Sequence, residues 1–186
     1  VKGLEIPGWG VRGAPGMGLA YATSTSGASH MRAWMIKYDV FGNEGPQGEE
    51  MERFTFENKP SALKYEQDLG SVRDSLVICD YPMGIAGLDN LVRLFNGATG
   101  FSLSEDEIME AGERIWNLTK LFNIREGFDR SDDRLPSRFF EEPLNSGEAE
   151  GEKLDKGEFS QALTEYYDLR DWDEKGIIKE FRLKEL

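Results

Sequence analysis

Apolar residues recur along this chain at three- and four-residue steps and almost never alternate. From Pro60 to Tyr81 the set Leu63, Leu69, Val72, Leu76 and Cys79 follows helical spacing over most of its length, which predicts a helix. Gly70 interrupts it, at a cost of about 1 kcal/mol relative to alanine. Pro82 ends it, so Cys79 is expected at the C-terminal end of the helix, just before a turn. Ser104 to Glu107 reads as a capping box that opens a strong amphipathic helix, with Ile108, Ala111, Ile115, Leu118 and Phe122 as its apolar face. Glu158 to Leu169 gives another helix, packed through Phe159, Leu163, Tyr166, Tyr167 and Leu169. Shorter helices are expected at Met17 to Ser24, with Pro15 in the first turn and Ser26-Gly27 as the stop; at His30 to Tyr38; at Leu88 to Phe95, closed by Asn96-Gly97; and at Glu174 to Leu186. Val1 to Pro15 is turn-rich, with Trp9 as a packing anchor, and Phe41 to Met51 and Phe122 to Leu154 read as loops. Arg53 to Phe56 alternates briefly and marks a short extended piece. No internal repeat is visible. The expected class is all-α: a multihelical domain with long irregular connections and little or no sheet.

At 186 residues the chain suits one domain or two small helical subdomains, and 39% hydrophobic with 31% charged residues is ordinary for a soluble globular protein. A net charge of −13 argues against nucleic-acid binding, which needs clustered Lys and Arg. No apolar run approaches the roughly 20 residues that span a bilayer, and there is no signal-peptide pattern, so no membrane association and a cytoplasmic location are expected. The opening Val1 suggests a piece of a longer or processed chain. One cysteine excludes an internal disulfide framework and cannot hold a metal by itself.

Two places carry candidate chemistry. Pro15 to Trp34 is dense in glycine and small residues and leads into the only histidine, His30. Such a stretch is expected to fit closely against a ligand or another backbone rather than to fill a core. An imidazole titrates near neutral pH, which suits acid–base work, although a hydrogen-bonded structural role fits the same residue. The second place surrounds Cys79. A free cysteine in a helix is commonly a small buried hydrophobe; the alternative is a thiolate ligand to iron. A [4Fe–4S] cluster takes four thiolates, so the others would come from outside this chain. Asp74, five residues earlier, either hydrogen-bonds the amino groups of a heterocycle or is solvated. No phosphate-binding loop, nucleophile elbow, CxxC or HExxH pattern is present.

These segments together resemble the C-terminal domain of the tungsten-containing aldehyde:ferredoxin oxidoreductase family, over the whole of residues 1–186. The opening VKGLEIPGWGVRGAPGMGLAYATSTSGASHMRAW is similar to the family's opening of this domain. DSLVIC is similar to its second pterin-binding segment, Asp-x-x-Gly-Leu-Cys, although Val77 and Ile78 stand here where the family has Gly and Leu. GERIWNLTKLFNIREGFDRSDDRLPSRFFEEPL and LTEYYDLRDWDEKGI are similar to its later helices and loop. The resemblance implies an oxidoreductase that converts aldehydes to carboxylic acids and passes electrons to ferredoxin. Its cofactors would be a tungsten (or molybdenum) bis-pterin and a [4Fe–4S] cluster. In that scheme Cys79 is one of the cluster ligands, Asp74 and Ile78 belong to the pterin-binding segment, and His30 stands beside the metal and moves protons. The other cluster cysteines, the β domain and the first pterin-binding segment are not in this sequence. The remainder of the enzyme polypeptide is therefore an expected partner, and the chain alone is expected to be inactive. Two alternatives go with the resemblance: a helical interaction module that kept the fold and lost the chemistry, and a relative that reduces aromatic acyl-CoA esters.

Overall fold

A computed structural model describes residues 1–42 and 44–184, without the side chains of 83–86. The fold is all-α, as expected. In chain order the helices are α1 (Pro15–Thr23), α2 (Ile36–Asp39), α3 (Lys59–Ser75), α4 (Asp80–Thr99), α5 (Glu105–Arg125), α6 (Arg138–Glu141), α7 (Lys156–Leu169) and α8 (Glu180–Leu183). The one β pairing among the described residues is an isolated bridge between Trp172 and Ile178.

Helix α3 is the hub, packed by α5 along its length and by α7 and α1 elsewhere. At the α3–α5 crossing a Cβ on Gly112 would lie 2.2 Å from the Asp68 carbonyl oxygen, so only glycine lets the two backbones come this close. The main core gathers α1, α2 and α7 with Trp116, Trp172 and Ile178, and a smaller cluster of Val72, Leu91, Val92 and Ile108 joins α3, α4 and the start of α5.

Helix α1 is buried on every side. The glycine-rich stretch up to Thr23 is thus core, against the expectation that it faces a ligand. Its small residues admit neighbouring elements of this same chain. The clearest case is Asp39, whose carboxylate accepts from the N–H groups of Gly16 (3.2 Å) and Met17 (2.9 Å) and pairs with Lys59, both side chains being fully buried. A Cβ on Gly16 would stand 2.9 Å from that carboxylate. Burial pushes the Asp39 carboxyl upward, against the pull of Lys59 and of the two N–H donors.

Several element boundaries differ from expectation. His30 to Tyr38 is not one helix: a 3-10 turn at His30–Arg32 is followed by extended Ala33 and then α2. Arg53 to Phe56 forms turns, not an extended piece. Helix α4 begins at Asp80 with Pro82 in its first turn, breaks at Gly87 (φ +74), and runs on to Thr99. Among the described residues the final helix covers only Glu180–Leu183, because residues 173–178 turn back so that Ile178 can bridge to Trp172; the expected end of that helix, 185–186, lies outside the described residues. The capping box is present as read, with Glu107 N–H donating to the Ser104 hydroxyl and the Glu107 carboxylate accepting from Ser104 N–H. The buried face of α5, however, is Ile108, Gly112, Trp116, Asn117 and Lys120, while Leu118 and Phe122 are 60% and 54% exposed.

Candidate functional site

The stretch after α1 is tied down from two directions. Lys2 donates to the carbonyls of Ala22 and Ser24 and pairs with buried Asp133 at 2.5 Å, while Asn123 on α5 donates to the Thr25 carbonyl at 2.7 Å. Burial pushes the Lys2 ammonium downward, and Asp133 opposes that shift. These contacts deliver the chain to His30, which sits half-buried on its 3-10 turn.

That turn packs on the C-terminal half of α3, the segment that carries the second set of candidates. Asp74 lies in the last turn of α3 and is paired with Arg32, both side chains being partly exposed. Ion pairs this exposed contribute about 0–1 kcal/mol, so a ligand competing for either group displaces the pair at little cost. Beside them opens a cleft of about 310 Å³, lined by Thr25, Ser26, Arg32, Gly70, Asp74 and Trp116 among others. Hydroxyls, a guanidinium and a carboxylate at one mouth suit a polar heterocycle with both donors and acceptors.

Cys79 is not at a helix C-terminus. Helix α3 ends at Ser75, and the chain reverses through Val77, which holds a left-handed backbone (φ +57). Val77 N–H donates to the Asp74 carbonyl and Ile78 N–H to the Arg73 carbonyl, each at 3.1 Å. Cys79 is then the N-terminal flanking residue of α4, exposed and free, and its side chain makes no capping hydrogen bond. Ile78 is half-buried and packs on the smaller core cluster.

Trp34 joins the two segments. Its indole meets the His30 ring edge-on at 5.3 Å and the Tyr81 ring at 5.9 Å, and its N–H donates to Asp80 Oδ2 at 3.3 Å. The other Asp80 oxygen faces Arg73 Nε at 3.1 Å. The structure therefore brings His30, Asp74 and the Cys79 turn to one face of the molecule. Among the described residues no group of three or more His, Cys, Asp or Glu side chains is arranged to hold a metal. Sequence reasoning missed Arg32, Trp34, Asp80 and Asn123; the adjacency of Asp80 to Cys79 was the one available signal.

A sequence model of the family described as "Aldehyde ferredoxin oxidoreductase, domains 2 & 3" matches residues 1–186. The chain belongs to this family. It is 36% identical over its whole length to the tungsten-containing aldehyde ferredoxin oxidoreductases of Pyrococcus horikoshii and of Pyrococcus furiosus, and it spans 30% of the length of each. It is 28% identical to the aliphatic sulfonate oxidoreductase, WOR-like subunit, of Pyrococcus furiosus, and spans 27% of that protein. Among the described residues no helix is long and apolar enough to cross a membrane.

Proposed function

We propose that this chain is the C-terminal helical domain of a cytoplasmic oxidoreductase that converts small aldehydes to carboxylic acids with ferredoxin as acceptor, and that it forms one wall of the cofactor site. The metal–pterin centre and the iron–sulfur cluster would supply the redox chemistry, delivered with the rest of the enzyme polypeptide. The observation that supports this reading is the meeting of the His30 turn, the Arg32–Asp74 cleft and the exposed Cys79 turn on one face.

The side chains fit the roles. Cys79 is free, exposed and makes no capping bond, which leaves its thiol available as a ligand. Asp74 presents a carboxylate to the cleft, where it would accept from a heterocycle's amino groups once Arg32 gives way, and the Ile78 backbone stands beside it on the same turn. His30 would hold and release a proton at a ring nitrogen, with its ring packed in a T-shaped contact against Trp34.

Elemental analysis of the full-length protein and of this chain alone tests the reading. About four irons with tungsten or molybdenum, in the full-length form only, is the expected result. In that protein His30→Ala should lower turnover by about 10²-fold or more with the metals retained. Absence of metal from both forms, with both folded, would favour the interaction-module alternative.

A further inference from the structure

We propose that Asp80 is a positioning residue: ion-paired with Arg73, without an aligned hydrogen bond, and accepting from Trp34, it sets the orientation of Cys79 and ties the Cys79 turn to the segment that carries His30. The proposal rests on the reading of Cys79 as a cluster ligand.

The two oxygens of Asp80 are divided between two segments. Oδ1 faces Arg73 Nε of α3 at 3.1 Å, and Oδ2 accepts from the Trp34 indole at 3.3 Å. Acids in the first turn of a helix usually stand in water, where the helix dipole favours them. Here the Arg73 and Asp80 side chains are only 6% and 8% exposed. Ion pairs so far removed from water return little net stability, because desolvation offsets the attraction; their best-attested use is to specify geometry. The geometry specified here is that of the preceding residue. The Cys79 side chain makes no capping hydrogen bond, and the turn before it is held by backbone bonds around Val77, which sits in the left-handed region. Asp80, the residue after Cys79, is thus a side chain anchored on both of its oxygens at the start of α4. Its partner Trp34 reaches the other half of the site, with its ring against both His30 and Tyr81. One carboxylate therefore connects the end of α3, the start of α4 and the His30 turn.

The test uses the full-length, metal-loaded enzyme and reads iron content, the paramagnetic resonance spectrum of the reduced cluster and its midpoint potential. Asp80→Asn should keep the iron but alter the spectrum and raise the potential, since a negative charge next to a ligand is lost and the turn is loosened. Trp34→Phe, which keeps an aromatic ring but drops the donated hydrogen bond, should alter the spectrum in the same sense by less, and it carries the test if Asp80→Asn fails to fold. Wild-type spectra and potentials in both variants, even with lowered stability, would overturn the proposal. Cys79→Ser is the control. If it changes the cluster while the Asp80 and Trp34 variants do not, the positioning role alone falls. If it leaves iron and spectrum untouched, the ligand reading falls and takes this proposal with it.

Discussion

Val77 shows how a single residue can shape the site. Its φ of +57 lies in the left-handed region that β-branched side chains resist, and its side chain is 91% exposed, so it recovers little by burial. The turn that lifts Cys79 onto the start of α4 requires that backbone whatever residue occupies it. Glycine is the residue this geometry asks for. Val77→Gly is expected to raise stability by about 1 kcal/mol, the relieved strain exceeding glycine's extra unfolded-state freedom. An unchanged or lower denaturation midpoint would show that the turn carries no strain. None of this is visible in spacing: the apolar steps run through residues 76–79 as though the helix continued, and only the dihedral at Val77 breaks it.

Helix α5 separates what local chemistry decides from what neighbours decide. Its start is local. Glu107 is held below the ordinary carboxyl range by the backbone N–H of Ser104 and then by the Ser104 hydroxyl. A depressed carboxyl stabilises the fold above its unfolded value of 4.5, and that contribution disappears as pH falls through the lower folded value. Acidification below about pH 4.5 should therefore lower the melting temperature, and Glu107→Gln should flatten that slope; parallel slopes would refute the assignment. Ser104→Ala should cost about 1 kcal/mol at neutral pH. The buried face, by contrast, is not local. The Gly112 crossing brings α3 against one side of α5, while the Trp116 indole donates to Tyr166 and Asn117 accepts from Trp172, turning Leu118 and Phe122 outward.

At the scale of the molecule, polar contacts far apart in sequence fix the arrangement of the helices. Arg170 at the end of α7 is fully buried and pairs with Asp68 on α3, and it donates to the Lys64 carbonyl (3.2 Å), to Gln67 (3.1 Å) and to the Tyr166 hydroxyl (3.2 Å). Gln67 in turn donates to Thr23 at the end of α1, where the chain sets off toward His30. Arg170→Met should destabilise the fold by about 3–5 kcal/mol, because it takes the guanidinium from the buried Asp68 carboxylate, while Gln67 keeps its bonds to Tyr166 and Thr23. Urea unfolding measures this, and a loss under ~1 kcal/mol would mean that Lys64, 3.0 Å from Asp68, suffices alone.

The sequence by itself determined the helical class, the capping box and the packing set of α7 apart from Leu169, which is exposed, because periodicity and side-chain capping are properties of a few consecutive residues. It also singled out His30, Asp74 and Cys79 as candidate positions for chemistry. Tertiary structure decided which faces are buried, that the glycine-rich α1 is core, and that His30, Arg32, Trp34 and Asp80 stand beside Asp74 and Cys79. Those outcomes depend on contacts between residues far apart in sequence, Asp39 with Gly16, Arg32 with Asp74 and Trp34 with Asp80 among them. A pattern of three- and four-residue steps holds no information at that range.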